Sequence, residues 1–291
     1  MRCTSAKTTP KPPKFAKHAY LTISQDPRQY VPPQGQTWTS HAHLATNHAN
    51  KWQTLDDDPN LWSLWTEPKF AIGQRAVLLK TPHGNVLWDC IALLDERTID
   101  FIKGQGGLAA IVISHPHYYT THLRWAQAFE CPVYISAEDA GWTQRRADDS
   151  GQARRELLKQ PTTEIVPGVT AIKTGGHFPG SLVLHCASRL FVADTLVTVP
   201  SALYHRDRPP GTTSYAFMWS IPNMIPLPPG EMRGMWRALE PWEFSSTHGA
   251  FVGTEVRDKD GGGRVKERVR ESMRIQAGGE GWLKTLGEGW P

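Results

Sequence analysis

The chain has 291 residues, of which 39% are hydrophobic and 21% are charged, and its formal net charge is +4. No apolar run approaches the roughly 20 residues that a membrane-spanning helix needs, so we expect a globular protein without a membrane partner. The small basic excess, with no basic stripe interleaved with aromatic residues, makes nucleic acid an unlikely partner.

The chain begins with a segment, residues 1–35, that is rich in proline, lysine and glutamine and is expected to be weakly ordered, although Gln29–Val31 could dock on the body of the protein. A polar stretch with His41, His43 and His48 follows. Its His-x-His pattern makes it a candidate metal site. Its polar surroundings favour instead a solvated loop or the start of a helix.

Clear strand and helix patterns then follow. Arg75–Lys80 and Asn85–Asp89 are predicted to form a hairpin. Leu93–Lys103 has apolar residues at roughly helical spacing. Leu108–Ile113 is an uninterrupted apolar run, which is typical of a strand buried on both faces.

A helix is expected around Leu123–Phe129, with Thr120 or Thr121 as its cap, and it leads into a strand at Cys131–Ser136. This order of strand, helix and strand predicts a parallel, right-handed crossover. The polar stretch Asp139–Gln160 that follows is predicted to be a helical excursion on the surface.

The second half of the chain is rich in strands. Its predicted strands lie within Val169–His177, Ser181–Cys186, Arg189–Asp194 and Phe244–Thr247, and its helices are Glu231–Leu239 and Val265–Ile275. The short Ala187–Ser188 link predicts a hairpin. The proline- and aromatic-rich stretch Pro200–Pro229 is expected to form loops that line a pocket. The four cysteines are scattered and form neither a disulfide framework nor a zinc motif, which favours reduced thiols and a cytoplasmic protein.

Histidine and aspartate residues stand at the ends of the predicted strands. The candidates, each beside a turn or a small residue, are Asp89, His115, His117, His177, Asp194 and His248. His115 and His117 are one residue apart on a loop that follows a buried strand, which suits a metal ion. A polar loop with hydrogen-bonded histidines is the alternative interpretation. Imidazole nitrogens with one carboxylate are ligands that zinc selects, so together the candidates predict a metal site.

The motifs ISHPHYYTTH, GGHFPG, FVADT and STHGAF, with VLWDC before them, resemble the metallo-β-lactamase-fold superfamily over about Arg75–Gly253, in a branch that carries HPHYYT and has a degenerate second metal site. The resemblance implies an α/β fold of the α+β type, an αββα sandwich of two mixed β-sheets flanked by helices. We therefore expect a domain at 36–256 with its core at 70–253. A glycine-rich linker and helix at 257–291 would follow it.

The resemblance also implies a first metal position made of His115, His117 and His177, with Asp194 as a neighbour or fourth ligand. We expect one zinc ion there, with iron or a second zinc ion as alternatives. The superfamily pattern is His-x-His-x-Asp-His, and Tyr119 stands at its aspartate position.

Thr120 stands at the last histidine position of that pattern, so the second metal position keeps only Asp194 and His248. Whether His122 substitutes for a lost ligand is left open. Asp89 is expected to hold a ligand histidine or backbone amides in place.

These expectations predict a hydrolase with one metal ion that acts on a small-molecule ester, thioester, lactone or amide through hydroxide generated at the metal. Asp194 would orient the water or accept its proton, and His248 would shuttle protons. Tyr119 or Tyr118 would donate to the oxyanion, with plain packing as the alternative. An iron-dependent enzyme that oxidises thiols or persulfides, and a degenerate metal-binding protein without catalysis, are the other hypotheses.

Overall fold

Two β-sheets that pack face to face organise the computed structural model, which describes residues 23–56, 58–143, 154–203, 209, 211–257, 264–279 and 281. The strands are β1 Ala49–Leu55, β2 Asp58–Glu67, β3 Ala76–Leu79, β4 Val86–Trp88, β5 Ala110–Val112, β6 Val133–Ser136, β7 Arg155–Leu158, β8 Thr162–Val166, β9 Val169–Lys173, β10 Leu182–Cys186, β11 Arg189–Phe191, β12 Val197–Thr198, β13 Tyr215–Ala216, β14 Met218–Ser220, β15 Ile225–Pro226, β16 Ser246–His248 and β17 Glu255–Arg257. The α-helices are α1 His41–Asn47, α2 Glu96–Gly104, α3 His122–Phe129, α4 Pro229–Leu239 and α5 Val265–Gly279. Among the described residues, no helix has both the length and the apolar character needed to cross a bilayer.

Both large sheets are mixed. The first runs β1 to β7 in chain order, antiparallel up to β4 and parallel from β4 to β7. The second has the order β17-β16-β11-β10-β9-β8, and β11 and β16 are its parallel pair. The predicted hairpins β3–β4 and β10–β11 and the predicted parallel crossover from β5 to β6 are all confirmed.

Alternate residues of β3 show how the layers form. Ala76 and Leu78 pack into a cluster with residues of α2 and α3, whereas Val77 and Leu79 pack into the layer between the two sheets. Successive side chains of a strand point to opposite faces, so a strand that is apolar at every position is covered on both sides. A third cluster joins the second sheet to α4 and α5. The order helices, sheet, sheet, helices is the αββα sandwich that the sequence predicts.

One predicted element is wrong. Within the stretch predicted to be a helical excursion, Arg155–Leu158 is a strand, β7, which pairs in parallel with β6 at the end of the first sheet. β7 lies at the edge of the sheet and is partly open to solvent, so only Leu158 of the strand is buried. An exposed edge strand carries polar residues, and for this reason its sequence resembles that of a surface helix. Residues 144–153 of the same stretch lie outside the described residues.

Two strands that the sequence analysis did not predict, β1 and β2, extend the first sheet. The histidine-rich stretch before them forms α1, in agreement with the predicted helix start. There the Nε2 atom of His41 accepts a hydrogen bond from the amide of Leu94, and His43 is exposed to solvent.

Candidate metal centre

The sheet edges meet at the loop that follows β5. The amide of Leu182, at the start of β10, donates to the carbonyl of Ser114 at 2.9 Å and so joins the second sheet to this loop. His115 then begins a single 3-10 turn, Pro116–Tyr118, which also carries His117. The histidine pair therefore lies where the two sheets converge.

Asp89 fixes the start of the same loop. Its Oδ1 atom accepts a hydrogen bond of 2.7 Å from the amide of Ser114, and the residue has a φ of 62° directly after β4. Burial raises the pKa of Asp89 to about 8, although the bond from Ser114 opposes the shift. Asp89 thus holds a backbone amide next to His115, a placement compatible with the predicted supporting role.

His177 is presented by a glycine turn after β9. Gly176 has a φ of 90°, and a Cβ atom there would lie 2.7 Å from Oγ1 of Thr195 and 2.9 Å from Sδ of Met235. The Thr195 hydroxyl donates to the carbonyl of Gly175 at 2.6 Å and links this turn to the loop that carries Asp194. Only glycine combines this backbone conformation with such close packing.

The structure brings four predicted residues together: one ligand atom each from His115, His117, His177 and Asp194, all within 4.8 Å of one another. The Oδ2 atom of Asp194 lies 3.4 Å from Nε2 of His115. It lies 3.9 Å from Nδ1 of His117 and 3.9 Å from Nε2 of His177. Among the described residues, this is the group of histidines and carboxylates that could hold a metal ion.

The hydrogen bonds behind the rings leave ligand atoms available. The Nδ1 atom of His177 lies 3.1 Å from the carbonyl of Met218, which can only accept, so Nδ1 carries the proton and Nε2 keeps its lone pair. The Nε2 atoms of His115 and His177 are buried and have no hydrogen-bond partner among the residues that the structure describes. Buried polar atoms without a partner are costly, and a cation between them would satisfy both.

The protonation states also suit a cation. Burial lowers the pKa of His177 to about 3, and the neighbouring His115 adds to this shift. Burial lowers the pKa of His115 as well. Burial would raise the pKa of Asp194, but the adjacent histidines outweigh it and hold that pKa well below its usual range. Neutral imidazoles and an ionised carboxylate are the forms that bind a divalent metal.

Of the two tyrosines expected to act at the site, Tyr118 lies beside the cluster and Tyr119 points away from it. The Tyr118 hydroxyl donates to Oδ1 of Asp194 at 3.2 Å, and its ring centroid lies 4.5 Å from that of His115. The Tyr119 hydroxyl instead lies 3.5 Å from the carbonyl of Asp139. A 3-10 turn has three residues per turn, so successive side chains point about 120° apart.

Two other predicted residues lie outside the cluster. His122 is engaged on both ring nitrogens, by the carbonyl of Tyr119 and by the guanidinium of Arg155. His248 stacks on Phe191 with ring centroids 4.9 Å apart, and burial lowers its pKa to about 3. Neither residue contributes a ligand atom to the group of four.

A cavity of about 380 Å³ opens beside the cluster, and His117, Tyr118 and Asp194 form part of its wall. Ile221 and Pro222 also line it, within the stretch that was expected to wall a pocket. The remaining wall comes from the N-terminal segment, the loop after β2, the loop after β11 with strand β12, and the loop after β16. The site thus has a polar end, at the cluster, and a larger space beside it.

Sequence reasoning missed Arg28, which docks the N-terminal segment on the site. Its Nε and Nη2 atoms each donate to Asp26 at 2.7 Å, and Nη1 donates to the carbonyl of His177 at 2.7 Å. Its guanidinium carbon lies 3.6 Å from the ring centroid of Phe178. Gln29 and Tyr30 then line the cavity, which agrees with the docking predicted for that stretch.

No family model matches the chain. The uncharacterized protein YmaE from Bacillus subtilis strain 168 is 37% identical over 255 residues, which are 88% of this chain and 86% of YmaE. The crystal structure of DIM-1 metallo-β-lactamase exposed to ceftazidime superposes with a TM-score of 0.54 at 11% identity, over 79% of this chain and 98% of DIM-1. The mono-zinc form of the metallo-β-lactamase FIM-1 from Pseudomonas aeruginosa superposes with a TM-score of 0.50 at 12% identity, over 79% of this chain and 96% of FIM-1. The chain therefore has the metallo-β-lactamase fold and belongs to the same family as YmaE.

Proposed function

We propose that the protein is a metal-dependent hydrolase that holds one zinc ion and acts on a small ester, thioester, lactone or amide. The observation that carries this proposal is the convergence of three histidine nitrogens on Oδ2 of Asp194, in a buried site beside a cavity. Three neutral imidazoles with one carboxylate suit zinc and leave room for a water molecule or a substrate.

A zinc ion in such a site supplies a nucleophile at neutral pH and polarises a carbonyl group. The chain adds a positioning group to this chemistry, because ionised Asp194 lies at the cavity wall, where it would orient a water molecule by accepting a hydrogen bond from it. The Tyr118 hydroxyl, also in the wall, fixes the orientation of that carboxylate through its hydrogen bond. The cavity receives the part of the substrate that does not react.

We assign no direct catalytic role to Tyr119 or His248. The Tyr119 hydroxyl faces the carbonyl of Asp139, and His248 stacks on Phe191 away from the group of four. Both placements favour packing, the alternative that the sequence left open for the tyrosines.

Elemental analysis of protein purified without added metal tests the metal part of the proposal. We expect about one zinc ion per chain, and its loss in His177→Ala. His43→Ala, which changes an exposed histidine of α1, is the matched control and is expected to keep the metal. About one iron ion per chain, with oxygen uptake on thiols, would replace the proposal with the oxidase hypothesis.

A screen of neutral chromogenic esters, thioesters and lactones, with and without chelator, tests the reaction. We expect hydrolysis that the chelator abolishes and that His177→Ala lacks. Bound zinc without turnover on any of these classes would favour the degenerate metal-binding protein instead.

A further inference from the structure

Beyond the metal cluster, the cavity offers very little charge to a ligand. Of the described residues that line it, only Arg28 and Asp194 carry a formal charge. Asp194 belongs to the cluster, where its charge would be balanced by the metal ion, so it adds no free charge to the rest of the cavity. The charge that a substrate meets in the rest of the cavity therefore depends on Arg28.

The positive charge of Arg28 is already used within the protein. Its guanidinium donates twice to Asp26 and once to the carbonyl of His177, and it lies over the face of Phe178. Burial raises the pKa of Asp26, but the hydrogen bonds from Arg28 outweigh it and lower this pKa overall. Asp26 already balances the charge of Arg28 and holds two of its donors, so a substrate carboxylate would have to compete with an existing ion pair and would gain little there.

The rest of the wall is mainly apolar. It includes Ile72, Leu196, Ile221 and Phe251, with a few uncharged polar side chains such as Gln74. An apolar group gains free energy in such a space roughly in proportion to the area that it buries. A carboxylate would lose its hydration there without gaining a partner.

We infer that the substrate is an uncharged carbonyl compound whose non-reacting part is an apolar chain or ring, and that compounds with a carboxylate in that part bind poorly. This inference rests on the proposed function, since it takes the metal cluster as the end that holds the carbonyl. It separates the protein from enzymes of β-lactam antibiotics, because those antibiotics carry a carboxylate next to the reacting amide.

Binding of methyl ketones tests the inference independently of hydrolysis, because ketones present a carbonyl but no bond to cleave. The zinc-loaded, full-length protein is titrated with 2-alkanones of increasing length and with their ω-carboxylate counterparts. Each buried methylene is expected to tighten binding about fourfold until the cavity is full. Each carboxylate counterpart is expected to bind at least about tenfold more weakly than its neutral partner. Affinity that does not depend on chain length, or tighter binding of the carboxylates, overturns the inference.

Two matched pairs of variants locate the effect in the cavity. Ile221→Trp narrows the cavity and should lower the chain length at which affinity stops rising, whereas Ile225→Trp, at an exposed position outside the lining, should not. Gln74→Arg adds a cation to the wall and should remove the carboxylate penalty, whereas Gln53→Arg on the exposed side of β1 should leave it. Equal behaviour of the two members of either pair contradicts the assignment. Failure of hydrolysis with the ketone results intact would count against the proposed function alone.

Discussion

Removing one hydroxyl group, in Tyr118→Phe, tests the arrangement around Asp194. The Tyr118 side chain is buried, and its hydroxyl holds Oδ1 of an ionised carboxylate at 3.2 Å. A hydrogen bond to a charged group contributes about 1.5–3 kcal/mol, which corresponds to about 10- to 150-fold in a rate or binding constant. Partners that orient metal ligands typically affect metal affinity or activity by a similar 10- to 100-fold.

We therefore expect Tyr118→Phe to lower zinc affinity, kcat/KM or both by about 10- to 100-fold, with little change in KM. Zinc affinity is measured by competition with a chromogenic chelator, and kcat/KM with a neutral chromogenic ester. Tyr119→Phe makes the same change one residue later, where the hydroxyl faces a carbonyl at 3.5 Å, and should stay within about threefold of wild type. Equal losses in the two variants, or no loss in either, would refute the orientation argument.

Three further perturbations address the N-terminal segment, the His177 turn and His248. Arg28→Met removes the contacts that hold the N-terminal segment against the cavity, so it should raise KM about tenfold or more with zinc content unchanged. Arg97→Met on α2 should leave steady-state kinetics unaltered. Gly176→Ala should lower the free energy of unfolding, measured in urea, by about 1–3 kcal/mol more than Gly168→Ala, because both have positive φ but only Gly176 is closely packed. Burial keeps the pKa of His248 at about 3 in the folded chain, against about 6.5 unfolded. Stability therefore falls as the pH is lowered between these values, and His248→Gln should make the fall less steep by about 1.4 kcal/mol per pH unit.

Each of these has an outcome that contradicts it. A loss of zinc in Arg28→Met would mean that the segment supports the metal ligands more than the cavity. Equal destabilisation of the two glycine variants would show that backbone conformation, and not packing, decides the cost. An unchanged pH slope in His248→Gln would show that the pKa of His248 hardly differs between the folded and unfolded chain.

The sheet edge that carries the candidate metal ligands could be predicted because its strands are short apolar runs with clear ends. β5 is buried on both faces, so its apolar run ends abruptly where polar residues begin, and His115 and His117 follow at once. Asp194 follows β11 in the same way. Strand ends of this kind locate side chains at a sheet edge even when their partners are more than fifty residues away in the chain.

The features that the sequence could not predict depend on side-chain directions within a turn and on contacts between residues far apart in the chain. Tyr119 occupies the aspartate position of the superfamily pattern, but the 3-10 turn points Tyr118 at Asp194 instead. Arg28 lies in a segment whose composition resembles disorder, and its anchors are Asp26 next to it and His177, 149 residues away. Long-range anchors of this kind leave no periodic signal in the segment itself.

The two oxygens of Asp194 are used differently, and this favours the proposed single metal ion over a pair. Oδ2 faces the three histidines, and Oδ1 accepts the hydrogen bond from Tyr118, so the oxygen that a second ion would need already has a partner. A second ion would also lack its aspartate ligand, because Tyr119 stands at that position of the superfamily pattern. It would have to draw His248 away from its stacking contact with Phe191. Loss of the Tyr118 hydroxyl alone is therefore expected to weaken the single site and not to create a second one.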